Sequence, residues 1–155
     1  MTARDVMSTE VIFARPDDTL RQAAALMQRH DHRALPVLNE QGETVGIVTE
    51  TDLLKLLLPD YLQGIQDLGF LPPDVPTGRY SFAEIADLPV SQAMRTDVLC
   101  TVAEDEPVVE MIHLIVRYRL DSLPVVRDGR VVGIVTCGDL VRAIVHPALE
   151  DSASR

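Results

Sequence analysis

Apolar positions along the chain follow a helical period, then a strand period, and the whole succession occurs twice. Leu20, Ala23, Ala24 and Met27 keep the i, i+3, i+4, i+7 spacing of a one-faced helix, and Val108, Met111, Ile112 and Ile115 repeat it. A short β-rich run precedes each helix, Val11–Ala14 in one case and Val98–Thr101 in the other. Two short apolar runs around a Gly-containing turn follow each, which is a hairpin signal. The strands are predicted over Leu35–Leu38 and Thr44–Val48, and again over Leu123–Val126 and Val131–Val135. A second helix then begins at Asp52 or Asp139, with a Leu-rich or Val/Ile-rich face.

The two successions are copies. Val45–Leu53 reappears as Val132–Leu140 at an offset of 87, and Met7 as Met94 at the same offset. Leu35-Pro36-Val37 reappears as Leu123-Pro124-Val125 at an offset of 88. The slips fall near Pro107, before a helix, and in the turn where Asn39-Glu40-Gln41-Gly42 becomes Arg127-Asp128-Gly129. Surface turns tolerate such changes. A unit of about 50 residues has too little core to stand alone, so two stacked copies are expected to bury each other's sheet faces. The predicted fold class is α/β (α+β), two pseudo-symmetric β-α-β-β-α repeats packed as a pair. The repeats are expected over residues 3–58 and 90–147, with an insert over 59–89 and a flexible tail over 148–155.

The insert is partly patterned. Tyr61, Leu62, Ile65 and Leu68 have helical spacing, which Gly69 stops, and Phe70–Gly78 reads as loop. Ser81-Phe82-Ala83-Glu84 fits a capping box opening another short helix. A connector on the outside and a lid or partner surface are both compatible with this stretch.

Composition narrows the function. Hydrophobic residues make up 46% of the chain but aromatic ones only 4%, so the core rests on aliphatic side chains. The formal net charge is −10, and the one basic cluster, Arg29–Arg33, is short and interrupted by Asp31. Nucleic-acid binding needs a basic stripe to displace counterions, and an anionic membrane surface needs the same. Neither partner is expected. Cys100 and Cys137 lack metal-site or C-x-x-C spacing, as free thiols of a reducing cytoplasm would. The N-terminus leads into no apolar segment, and no apolar run approaches the roughly 20 residues that span a bilayer. A soluble, cytoplasmic protein is the expectation. His30, His32, His113 and His146 share no metal-ligand spacing, and no P-loop, Gly-x-Ser-x-Gly or Gly-x-Gly-x-x-Gly occurs. Neither a metal nor a catalytic site is predicted.

One copied constellation carries chemistry. At each strand-to-helix junction stands Gly-h-h-Thr-x-x-Asp, with h apolar: Gly46 to Thr49 and Asp52, and Gly133 to Thr136 and Asp139. Thr-x-x-Asp is a near relative of the capping box, and acids in a first helical turn are favoured by the helix dipole. The same geometry offers backbone N–H groups and a hydroxyl to a phosphate, and a carboxylate to the two hydroxyls of a ribose. Capping needs neither the preceding Gly nor the whole copied block, so the repetition favours a site.

These residues resemble the CBS-domain family in its tandem form, the Bateman module. Met7 and Met94, the two Leu-Pro-Val elements, and Gly-Ile-Val-Thr-Glu-Thr-Asp with Gly-Ile-Val-Thr-Cys-Gly-Asp carry the resemblance. It implies a regulatory module that binds AMP, ADP, ATP or S-adenosylmethionine in clefts between the repeats, forms homodimers and acts on an effector protein. By the same resemblance Asp52 and Asp139 are ribose ligands, Thr49 and Thr136 face phosphate or ribose, and Thr51 adds a hydroxyl. Arg33, just before Ala-Leu-Pro-Val, is a basic phosphate contact; Asp121 and Gly138 replace Arg33 and Thr51 in the second copy. A cleft combining Thr49, Thr51, Asp52 and Arg33 is therefore expected to be the better phosphate site. Leu35, Thr101 and Ile134, with Val11–Ala14 and Cys100, are candidates to flank the adenine. Two readings compete: a nucleotide sensor, and a structural module for dimerisation or protein docking with vestigial clefts. For dimerisation, the helices at Leu53–Leu58 and Val141–Val145 are the candidate faces.

Overall fold

A computed structural model describes residues 1–58, 69, 81–97 and 99–153. The predicted helix at Tyr61–Leu68, the loop Phe70–Gly78 and residue Val98 lie outside them.

Each copy is built as its pattern demands. Helix α2 (Leu20–His30) and helix α4 (Val108–Tyr118) hold the two apolar stripes, burying Leu20, Ala23 and Met27 in one and Met111 and Ile115 in the other. Both end in a left-handed residue, Asp31 and Arg119, each at φ 53°. Strands β1 (Ala34–Leu38) and β2 (Thr44–Thr49) pair antiparallel, as do β4 (Ser122–Arg127) and β5 (Arg130–Thr136). A register shift falls at the equivalent place in both hairpins, between Val37 and Leu38 and between Val125 and Val126. Asp128 and Gly129, both at positive φ, make the tight β4–β5 turn. Helices α3 (Glu50–Leu57) and α5 (Cys137–Ala153) follow directly.

The β-rich leading runs fall short of prediction. Val11–Ala14 contributes only a parallel bridge from Ala14 to Val37. In the second copy the strand, β3, is Val102–Ala103, beyond the predicted Val98–Thr101. The reason is burial: Val102 is 3% exposed while Leu99 is 43% exposed. Ser81 opens a single 3-10 turn, Phe82–Glu84, without a side-chain cap, because Ile85 and Ala86 then enter the core at once. Helix α5 also continues through Pro147, where the repeat was expected to end, to Ala153.

The sequence pattern did not reveal how the leading segments cross over. A short helix α1 (Ala3–Val6) and Met7 pack into the second copy's core, with Met111, Leu123, Val125 and Val135. Reciprocally, Ile85, Val90 and Met94 pack into the first copy's core, with Leu20, Leu35 and Val48. Paired backbone hydrogen bonds fasten both straps. Ser8 and Ile134 exchange N–H···O bonds of 2.9 and 2.9 Å, and Arg95 and Ile47 exchange bonds of 2.8 and 3.0 Å. Gly46 and Gly133 are the points of closest approach. A Cβ on Gly133 would meet Met7 Sδ at 2.5 Å and Ser8 O at 3.1 Å, and one on Gly46 would meet Met94 Sδ at 2.7 Å and Arg95 O at 3.2 Å.

Candidate functional site

Both Thr-x-x-Asp junctions fold as reciprocal caps. Thr49 N–H donates to Asp52 Oδ2 at 2.9 Å and Asp52 N–H to Thr49 Oγ1 at 3.2 Å. Thr136 N–H donates to Asp139 Oδ2 at 2.9 Å and Asp139 N–H to Thr136 Oγ1 at 3.1 Å. The capping reading of the motif is therefore literally present. It engages Oδ2 of each carboxylate and leaves Oδ1 for something else.

What Oδ1 meets differs between the copies. On Asp52 it lies 3.4 Å from Nε of Arg95, and the Asp52 side chain is 4% exposed. The Thr49 hydroxyl is also engaged, donating to Asp52 Oδ2 at 2.8 Å. On Asp139, Oδ1 lies 3.3 Å from a guanidinium nitrogen of Arg142, one helical turn on, whose side chain is 71% exposed. Asp139 itself is 19% exposed.

Asp139 also opens into a cleft of about 630 Å³ formed by both copies. The second copy supplies Ile134, Thr136, Cys137 and Asp139 to its wall, and the N-terminal strap supplies Ser8 and Glu10. From the first copy come Ile12 and the end of α2 with the start of β1, including His30, His32 and Arg33. Asp121 and Ser122, at the start of β4, line it too. Ser122 is 5% exposed and its hydroxyl has no hydrogen-bond partner. The volume is in the range of small-molecule sites.

The cleft brings Arg33 together with Thr136 and Asp139, not with Thr49, Thr51 and Asp52, which are not among its lining residues. Arg33 also touches the Thr49 turn through its backbone, its carbonyl accepting Glu50 N–H at 3.0 Å, and it is among the residues lining the cleft. Thr51 is exposed. Of the predicted adenine flanks, Ile134 lines the cleft, and Ile12 joins it from the Val11–Ala14 run. Leu35 is wholly buried in the first core, Cys100 packs against the second, and Thr101 is exposed away from the lining.

The helix N-termini also offer less to a phosphate than the motif suggested. Cys137 N–H donates to Asp121 O at 3.0 Å, and the N–H of Asp139 is used by the cap. A phosphate in the cleft would be held by side chains, with Arg33 and Arg142 as permanent cations. Partial burial, then the charge of Asp121, push the Cys137 thiol above its ordinary value, which disfavours a thiolate nucleophile. Among the described residues no cluster of His, Cys, Asp or Glu could hold a metal ion, and no helix is long and apolar enough to cross a membrane. Sequence reasoning missed Ser8, Ser122, Arg142 and Arg95. The Met7/Met94 match pointed to the first and last of these, since Ser8 and Arg95 are the next residues along.

Comparison with known proteins agrees with this architecture. A family model for the CBS domain matches the chain twice, over residues 3–59 and 90–146. YlbB of Bacillus subtilis is 32% identical over 138 residues, covering 88% of this chain and 78% of its own. MJ1225 of Methanocaldococcus jannaschii is 31% identical over 139 residues, covering 89% of this chain, which spans 45% of that protein's length. Among solved structures, the CBS domain pair of MJ0100, in complex with 5′-methylthioadenosine and S-adenosyl-L-methionine, aligns with a TM-score of 0.69. It is 26% identical, and the alignment covers 95% of this chain and 98% of that one. Matched by the CBS-domain model over both of its repeats, this chain belongs to the CBS-domain family and carries the domain twice.

Proposed function

We propose that the cleft at Asp139 binds an adenosyl ligand, an adenine nucleotide by preference, and that the chain is a regulatory sensor acting on an effector protein rather than an enzyme. The observation that carries this reading is the carboxylate of Asp139, capping through Oδ2 and meeting the exposed Arg142 at Oδ1, in the lining of an inter-repeat cleft that also contains Arg33. Asp139 Oδ1 accepts the ribose hydroxyls, and the Thr136 hydroxyl, which accepts from Asp139 N–H, donates to ribose or phosphate. Ile12 and Ile134 flank the base. The Ser122 hydroxyl is available to a polar edge of the ligand. Arg33 holds the phosphate, and Asp121 and Glu10 temper the charge that the cleft accepts. A family member bound to 5′-methylthioadenosine and S-adenosyl-L-methionine supports the ligand class.

The test is thermal unfolding with AMP, ADP, ATP, S-adenosylmethionine and 5′-methylthioadenosine at millimolar concentration. A ligand that binds only the native state raises the melting temperature. A rise with AMP or ATP that disappears in Arg33→Ala, while the rise with 5′-methylthioadenosine persists, supports the nucleotide assignment. No rise with any of the five overturns the reading in favour of a structural module.

A homodimer is part of the proposal, and exposed apolar side chains favour it. Of the two candidate faces, Leu53 is buried and Leu56 and Leu57 pack on the first core, leaving only Leu54 at 61% exposure. The α5 face is open, with Val141 at 58%, Ile144 at 47% and Val145 at 43%. On α4, Val109 and Val116 stand 69% and 70% exposed. Sedimentation of Val141→Glu/Ile144→Glu against the wild type tests it; an unchanged mass removes α5 from the interface.

A further inference from the structure

The two Thr-x-x-Asp junctions of this pair differ in the strap residue beside the carboxylate, and the repeat makes the difference readable. Ser8 and Arg95 occupy the same place in their straps, each one residue after the repeated Met and each bonded through its backbone to the β-strand before the motif, at Ile134 or Ile47. Where Ser8 stands, Asp139 faces an open cleft. Where Arg95 stands, its guanidinium reaches Asp52 Oδ1, the oxygen that capping leaves over. Arg95 is fixed by two backbone hydrogen bonds, of 2.8 and 3.0 Å, so its side chain starts from a set position beside Asp52. Arg142, the cation 3.3 Å from Asp139 Oδ1, is a helix-surface side chain 71% exposed, against 44% for Arg95. Its carboxylate is 19% exposed against 4% for Asp52, so the Asp139 pair is the more solvated of the two.

We infer that Arg95 closes the Asp52 side to ribose by holding the carboxylate a ribose would need, so that the pair takes one adenosyl ligand per chain. The inference rests on the adenosyl reading of the Asp139 cleft and goes beyond it by assigning Arg95 as the residue that sets the stoichiometry. A guanidinium satisfies the Asp52 oxygen with a charge-assisted contact, which a neutral diol must displace. Ser8, with a short neutral side chain, makes no such claim on Asp139.

Isothermal titration with AMP and with 5′-methylthioadenosine tests this on the wild type, Arg95→Ser and Ser8→Arg. The wild type is expected to bind one ligand per chain and Arg95→Ser two. The second site should vanish again in Arg95→Ser/Asp52→Asn. Ser8→Arg, at an exposed position that the core does not depend on, should weaken the wild-type site at least tenfold. Two sites in the wild type, or a single site in folded Arg95→Ser, overturn the role of Arg95 and leave the Asp139 reading standing. Loss of binding in folded Arg95→Ser overturns both readings, because Arg95 does not line the Asp139 cleft. Absence of binding by every variant with either compound overturns both. Should Arg95→Ser fail to fold, Ser8→Arg decides the matter alone: undiminished affinity overturns the inference.

Discussion

Asp139 has two oxygens with two duties: Oδ2 caps the helix, and Oδ1, beside the exposed Arg142, is the one proposed to take a ligand. Asparagine keeps an oxygen for the Thr136 N–H and removes the charge, so Asp139→Asn is expected to leave the melting temperature within a few degrees of the wild type. Adenosyl affinity should fall about ten- to a hundredfold, the effect of losing hydrogen bonds to a charged acceptor. Titration calorimetry beside a melting curve separates the two. Gly133 and Gly46 are constrained by space rather than by φ. Because Ser8 O and Arg95 O are held in backbone pairs, Gly133→Ala and Gly46→Ala are each expected to destabilise by about 1–3 kcal/mol, as overpacking does. Denaturant unfolding measures it. The motif's Thr and Asp were legible at this scale because cap and site use the same residue types. The partner of Asp52 Oδ1 was not, since Arg95 lies 43 positions from Asp52 and nothing local joins them.

At the scale of elements, α1, β3 and β4 meet at Glu104. Arg127 grips the Glu104 carboxylate in a fork, Nε at 2.8 Å and a second nitrogen at 2.6 Å, and Arg4 approaches to 3.6 Å. Hydrogen bonds from Arg127 hold the Glu104 carboxyl below its ordinary 4.5, assisted by the charges of Arg127 and Arg4 and opposed by partial burial. A carboxyl with a depressed folded-state value stabilises above its unfolded value, and that contribution is lost as pH falls through the folded one. Stability should thus hold above about pH 4.5 and decline below it, and Glu104→Gln should be less stable at neutral pH with a flatter acid limb. Melting temperatures between pH 3 and 7 give the comparison. Helices α2 and α4 and both hairpins were readable from periodicity, for their apolar stripes face one core each. The leading strands were misjudged because a run of β-branched residues does not say whether its side chains face a sheet neighbour or, like Ile12, a cleft.

At the scale of the molecule, two cores each borrow a segment from the far side of the chain. Leu35→Ala and Leu123→Ala, each emptying a fully buried site, are expected to cost about 2.7–5 kcal/mol. Deleting residues 1–8 should weaken the second core, to which α1 and Met7 belong, more than the first. Hydrogen exchange reads this directly: amides of Leu123 and Val135 should lose protection before those of Leu35 and Val48. Equal loss in both cores would show that the straps bind the pair into one cooperative unit. The repeat announced that there would be two similar cores, but not that they are interlaced. Offsets in a sequence report likeness, whereas the crossing is a matter of which copy a strap lies on.

The interlacing sets an order in time. Met7 precedes its seat beside Gly133 by more than a hundred residues, all of which must be joined before the seat exists. On the ribosome, this strap therefore emerges well before it can find its place. Until then the second core stays open on one side, and such long-range closure is slow.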